Sequence, residues 1–124
     1  GLDALACSFG TVHGLYKGEP KLNFDVLRNI RSRVNVPLVM HGGSGVSDED
    51  NLRAINAGIR KINYYTYGGK YAGDAVRKMI ADREQAGSGS VVYWHDMTTV
   101  AYETLVDTFE HIVRNFANGA EPLA

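Results

Sequence analysis

The sequence predicts an α/β fold built on a parallel sheet, as part of a (β/α)8 barrel. Three observations lead there. Apolar runs too short to be helices alternate with segments of helical period, and parallel neighbours need such crossover connections. Each short run ends in a polar or glycine-rich loop, so all of these loops share the face of the sheet where ligands bind in parallel α/β architectures. Three strands standing alone would leave two sheet edges and much apolar helix surface uncovered, which favours three-eighths of a barrel over a complete, open, doubly wound sheet.

Leu5 to Phe9 reads as a buried strand, and Gly10-Thr11-Val12-His13-Gly14 is the loop at its end. A core-type strand with nothing leading into it predicts that the chain is one portion of a larger unit. After Pro20, the residues Phe24, Leu27, Ile30 and Val34 form the apolar stripe of a first helix. Val36-Pro37-Leu38-Val39-Met40 is the second strand, with Pro37 near its start, where a missing N–H is tolerated. His41-Gly42-Gly43-Ser44-Gly45 follows as a glycine-rich loop. Ser47, with Asp50 three positions on, gives a capping-box-like start to a helix ending near Gly58. Ile59 to Thr66, rich in β-branched and aromatic residues, is the third strand, with Asn63-Tyr64-Tyr65-Thr66 as its polar end. Ala72, Ala75, Val76, Met79 and Ile80 mark the helix after it. Gln85 to Ser90 is a flexible break before a long final helix marked by Val100, Leu105, Phe109, Ile112, Val113 and Phe116.

A chain of 124 residues with 44% hydrophobic content supports one modest core and leaves no room for a second domain. The net charge of -1, without a basic run, gives no case for nucleic acid or an anionic membrane surface, so an anionic ligand needs a local site. No apolar stretch approaches the ~18–20 residues of a membrane span. The one cysteine, Cys7, excludes an internal disulfide framework and fits a reducing, cytoplasmic location.

His13 and His41 come directly after neighbouring strands, where two imidazoles could converge on one Zn2+ ion, a metal that prefers nitrogen ligands. Two histidines make an incomplete site, and each could equally be a loop residue bonded to backbone carbonyls. The Gly42-Gly43-Ser44-Gly45 stretch can present backbone N–H groups to an anion, helped by the N-terminus of the next helix, and Gly14 could do likewise. Simple turn geometry explains the same glycines. Lys17 offers a point charge for phosphate or is merely solvated. Asn63 and Thr66 suit sugar hydroxyls, phosphate oxygens or the cap of the next helix. Tyr64, Tyr65, Tyr67 and Tyr71 read as packing, since no basic groove accompanies them. His95 and His111 are expected on the surface or in helix packing.

The segments Gly10 to Phe24, Val36 to Val46 and Lys61-Ile62-Asn63 together resemble the class II fructose-bisphosphate and tagatose-bisphosphate aldolases, with motif-level agreement over about residues 1–80. The resemblance implies the C-terminal part, about three βα units plus a terminal helix, of a single (β/α)8 TIM-barrel domain that begins near the sixth strand, the earlier strands being absent from residues 1–124. It implies that His13 and His41 are zinc ligands, with the third histidine and the catalytic aspartate outside this chain. Gly14, Lys17, Gly42, Ser44, Asn63 and Thr66 then match positions that hold dihydroxyacetone phosphate, and a monovalent cation, Na+ or K+, sits near its phosphate.

The implied activity is that of a lyase of carbohydrate metabolism and glycolysis. A ketose 1,6-bisphosphate, fructose or tagatose, is cleaved reversibly to dihydroxyacetone phosphate and glyceraldehyde 3-phosphate, and a homo-oligomer, dimer or tetramer, of the full-length chain is expected. Tyr65 departs from the pattern: fructose members carry aspartate there and tagatose members a small residue. A tyrosine would fill space near the distal end of the substrate and admit a different ketose phosphate or a shorter aldehyde. Two rival readings remain. One is an inactive half-barrel that only binds phosphate or zinc, or needs an N-terminal partner; the other is a metal-free phosphate-binding barrel enzyme in which the histidines act as acid and base.

Overall fold

The central strand of the sheet is buried along its whole length, and that burial organises everything around it. In the computed structural model, which describes residues 1–87 and 91–120, the elements run β1 (Leu5–Ala6), α1 (Phe24–Arg33), β2 (Leu38–Met40), α2 (Asp48–Asn56), β3 (Ile59–Ile62), α3 (Thr66–Gln85) and α4 (Trp94–Ala117). The sheet order is β1-β2-β3 with both pairings parallel; Leu5 faces Leu38, and Met40 faces Ile62. The strand, helix, strand alternation of the sequence is therefore realised as a parallel sheet with helical crossovers.

Leu27, Leu38, Met40 and Ile59 are fully buried and form the core with Phe9, Phe24 and Ala54. Phe9 and Phe24 meet with ring centroids 6.4 Å apart, and the Arg53 guanidinium lies 4.0 Å over the Phe24 ring, covering the outer side of that cluster. Asn23 starts α1 by accepting from Val26 N–H at 3.0 Å, and Ser47 starts α2 by accepting from Asp50 N–H at 3.2 Å, as its position in the sequence anticipates.

Several elements are shorter than the residue pattern implies, for identifiable reasons. Val34 leaves α1 in an extended conformation, where Arg31 holds its carbonyl at 3.0 Å, because the chain must straighten toward Pro37. The third strand stops at Ile62 rather than Thr66, since its partner β2 ends at Met40 and the chain beyond turns at Gly42 with φ +71°. Thr66 opens α3 instead. The expected break at Gln85 to Ser90 falls partly on the end of α3 and partly on residues 88–90, outside the described residues.

The terminal helix packs chiefly on α3. Phe109 lies against Gly68 there, and its ring also meets Tyr64 edge-on at 6.1 Å. Of the residues marking this helix, only Ile112 is buried; Phe109 and Val113 stay exposed, so the apolar stripe is wider than the surface it covers. His111, expected in surface or packing roles, bonds Asp48 at 2.8 Å and ties α4 to the start of α2. Tyr67 and Tyr71 pack edge-on at 6.0 Å, as the packing reading of the tyrosines expects, whereas Tyr65 is 82% exposed. No helix among the described residues is long and apolar enough to cross a membrane.

Asp96 fastens the entry of α4 to α3. Its carboxylate receives Arg83 at 2.5 Å and Tyr93 N–H at 3.0 Å, and these two bonds lower its pKa from the usual 3.8 to about 2. A carboxylate depressed in the folded state lends stability above its ordinary pKa and loses it as pH falls through the folded one. The contribution of Asp96 is therefore expected to fade between about pH 4 and about pH 2. Thermal unfolding followed by circular dichroism should show a flatter pH dependence in that window for Asp96→Asn; an identical slope would contradict the assignment.

Candidate metal and phosphate site

Because the sheet is parallel, the chain leaves β1, β2 and β3 at the same end, and the loops carrying the candidate residues meet there. His13 and His41 are exposed neighbours, with ring centroids 5.4 Å apart and planes at 64°. Zn–N bonds of about 2.0–2.1 Å at tetrahedral angles would place two ligating imidazole centroids about 5 Å apart, so the pair fits one zinc ion. Among the described residues no group of three or more His, Cys, Asp or Glu side chains could hold a metal. The pair by itself is two donors, fewer than the four of a tetrahedral zinc site.

The closeness of the two imidazoles originates in the backbone. A Cβ added at Gly42 would fall well under 3.0 Å from the Val12 carbonyl oxygen, so the residue after His41 lies against the residue before His13 with no side chain between them. A Cβ at Gly43 would meet the Ile62 side chain, a softer obstacle than backbone. Asn63 clamps the arrangement from just past the third strand: its N–H donates to Met40 O at 3.0 Å, and its carbonyl accepts from Gly43 N–H at 3.0 Å. Its side-chain Nδ2 lies 3.0 Å from His41 Nδ1, while Lys61 Nζ donates to Oδ1.

The sites open to an anion differ from the sequence expectation. The start of α2, beside the glycine-rich loop, is already closed: Ser47 caps it, and Asp48, Glu49 and Asp50 fill its first turn with negative charge. The start of α3 has no acidic residue in its first turn and no side-chain cap, and the N–H groups of Thr66, Tyr67 and Gly68 meet no acceptor among the described residues. Thr66 therefore stands at the helix end better able to hold phosphate oxygens.

His13, His41, Gly42 and Asn63 come together as a group. Gly14 turns the loop after His13 with φ +88°. Lys17 is exposed, with no hydrogen bond or ion pair among the described residues, and Ser44 is buried beneath the loop at 4% exposure. Among the described residues, no hydrogen bond or ion pair joins Lys17, Ser44 or Thr66 to the histidine pair. A cavity of about 750 Å3 lies behind the glycine-rich loop, between Ser47, Tyr64, Tyr67 and His111, and none of the expected site residues lines it. Burial, aided by Tyr71, Asp48 and Tyr67, pushes the Tyr64 phenol up to about 12, so this ring stays protonated at neutral pH.

Sequence reasoning missed Tyr16 and Lys61. Tyr16 Oη accepts from Val12 N–H and donates to Gly42 O, and Lys61 orients the Asn63 amide. Tyr16 acts through a bond across the strand ends, which no residue pattern advertises, and Lys61 through a bond to the residue two positions on.

A family model described as Fructose-bisphosphate aldolase class-II matches residues 1–119. The 6-phospho-5-dehydro-2-deoxy-D-gluconate aldolase of Halalkalibacterium halodurans is 38% identical over 115 residues, covering 93% of this chain and 38% of that protein. The fructose-bisphosphate aldolase of Ureaplasma parvum is 53% identical over 66 residues, covering 52% of this chain and 23% of that one. The crystal structure of the YdjI aldolase of Escherichia coli K12 superposes with a TM-score of 0.75 at 32% identity, over 95% of this chain and 41% of its own. The chain thus spans less than half the length of each relative, and its parallel sheet and helices form part of a (β/α)8 barrel.

If the contact between Gly42 and Val12 sets the histidine spacing, Gly42→Ala is expected to cost about 1–3 kcal/mol through the positive φ and the clash together. Urea unfolding measures this, and an unchanged midpoint would mean that the two loops are not packed as described.

Proposed function

Since the chain belongs to the class II fructose-bisphosphate aldolase family, we propose that the whole protein is a zinc-dependent lyase that cleaves a ketose 1,6-bisphosphate, fructose or tagatose, to dihydroxyacetone phosphate and glyceraldehyde 3-phosphate. The observation that carries the reading is the histidine pair, 5.4 Å between ring centroids at the strand ends.

In this reading His13 and His41 hold the metal by ring nitrogens, and the remaining ligand and the catalytic carboxylate come from outside these 124 residues. Zinc, when bound, supplies Lewis-acid polarisation of the substrate carbonyl. The free N–H groups at the start of α3, with Gly14, Gly42, Ser44, Thr66 and Lys17, hold the phosphate beside a monovalent cation. Asn63 orients the carbon skeleton through its amide. The protein works in the cytoplasm as a dimer or tetramer, in keeping with exposed Tyr102, Val106 and Val113 on α4.

Two experiments test this. In the whole polypeptide, His41→Ala and chelation of the metal are each expected to reduce cleavage of fructose 1,6-bisphosphate at least about 100-fold, while residues 1–124 alone give no turnover. Undiminished cleavage by metal-stripped protein would favour histidine acid–base chemistry instead.

The second concerns the sugar. Tyr65 is 82% exposed two positions after Asn63, which supports a substrate whose distal end differs from that of fructose bisphosphate. Comparing kcat/KM for fructose 1,6-bisphosphate, tagatose 1,6-bisphosphate and 6-phospho-5-dehydro-2-deoxy-D-gluconate decides it. Tyr65→Asp is expected to shift the ratio about 10-fold or more toward fructose bisphosphate, and an unmoved ratio removes Tyr65 from specificity.

A further inference from the structure

We infer that Tyr16 is a positioning residue for the histidine pair: its phenol pins the His13 loop to the His41 loop, so that both imidazoles are offered to one metal ion. The inference rests on the reading of His13 and His41 as metal ligands. Val12 N–H donates to Tyr16 Oη at 3.2 Å, and Oη in turn donates to the Gly42 carbonyl at 3.0 Å. A phenol carries one proton and accepting lone pairs, so a single group satisfies both partners at once.

The two anchoring points are telling. Val12 directly precedes His13 and Gly42 directly follows His41, so the phenol grips the backbone next to each imidazole. Among the described residues, the Tyr16–Gly42 bond is the sole hydrogen bond between residues 10–18 and residues 41–46. Packing of Gly42 on Val12 limits how near the loops can come, and the phenol limits how far they can part. The ring itself is half-buried and lies beside Gly45, which fixes where the hydroxyl points. Two loops already held together give up less conformational freedom when a metal binds, which is how outer groups raise metal affinity without touching the ion.

Tyr16→Phe in the whole polypeptide keeps the ring and removes the hydroxyl. The readouts are the zinc dissociation constant, by competition with a chromogenic chelator, and the visible absorption spectrum of the Co2+-substituted protein. The expected result is zinc binding weakened about 10–100-fold and an altered cobalt spectrum, with the unfolding midpoint of the metal-free protein unchanged. Because the effect runs through the histidines, adding Tyr16→Phe to His41→Ala should weaken zinc binding no further.

Wild-type zinc affinity and cobalt spectrum in Tyr16→Phe, while His13→Ala and His41→Ala each lose affinity, overturns the role of Tyr16 and leaves the metal reading standing. Unchanged zinc binding in both histidine variants overturns the metal reading and this inference with it. Loss of helical circular dichroism in Tyr16→Phe also overturns it, by assigning the phenol to the fold instead.

Discussion

The chemistry at the strand ends hangs on one backbone contact, that of Gly42 against the carbonyl of Val12. A parallel sheet delivers successive loops to the same edge, but it leaves them roughly a strand spacing of about 4.8 Å apart, with side chains free to splay. Here the second loop folds over onto the first, which a Cβ at position 42 would prevent. The imidazoles on either side of that contact follow the backbone that bears them. The bonds of Asn63 to Met40 O and Gly43 N–H hold the folded loop from its other side, so the glycines lie between two fixed neighbours.

The distribution of charge follows a similar logic. With a net charge of -1 the molecule has no general attraction for anions, so affinity for phosphate must come from local geometry. Each helix N-terminus in the fold offers partial positive charge, and at three of the four a side chain already answers it: Asn23 at α1, Ser47 at α2 and Asp96 at α4. The first turn of α2 carries three acidic residues and its own serine cap, and Asp48 is further engaged by His111 of α4. The start of α3 is left uncapped, next to Asn63. The helix end left open at the strand-end face thus belongs to the same helix on which α4 chiefly packs.

Much of this was legible in the sequence. The apolar run Leu38-Val39-Met40, the periodicity of Phe24 and Leu27, and the Ser47 cap are local signals, and the fold uses them as they stand. His13 and His41 were legible as a pair because each follows a strand in a parallel arrangement, which fixes their common face. Element ends were less so: Ile62, not Thr66, closes β3 because the ladder depends on where its partner β2 stops, and that information lies some twenty residues away in the chain. Tyr16 was illegible for the same reason. Its partners, Val12 N–H and Gly42 O, are backbone groups, and a backbone group leaves no trace in a residue pattern. The glycines, finally, had two competing explanations, and close packing against Val12 and Ile62 accounts for Gly42 and Gly43 before any ligand is invoked.

The amide of Asn63 links these observations to the state of the site. Lys61 Nζ has only protons to give, so it fixes Oδ1 as the acceptor and turns Nδ2 toward His41. There Nδ2 lies close to both ring nitrogens, 3.0 Å from Nδ1 and 3.3 Å from Nε2. A donor amide so placed competes with a metal for the lone pair of His41. A metal held by His41 would require Nδ2 to move off the ring, or the amide to turn over, which would break the Lys61 bond. Either route rearranges the polar group of Asn63 next to the open start of α3. Any metal at His41 would thus be coupled to the orientation of Asn63, through a contact just past the ends of β2 and β3.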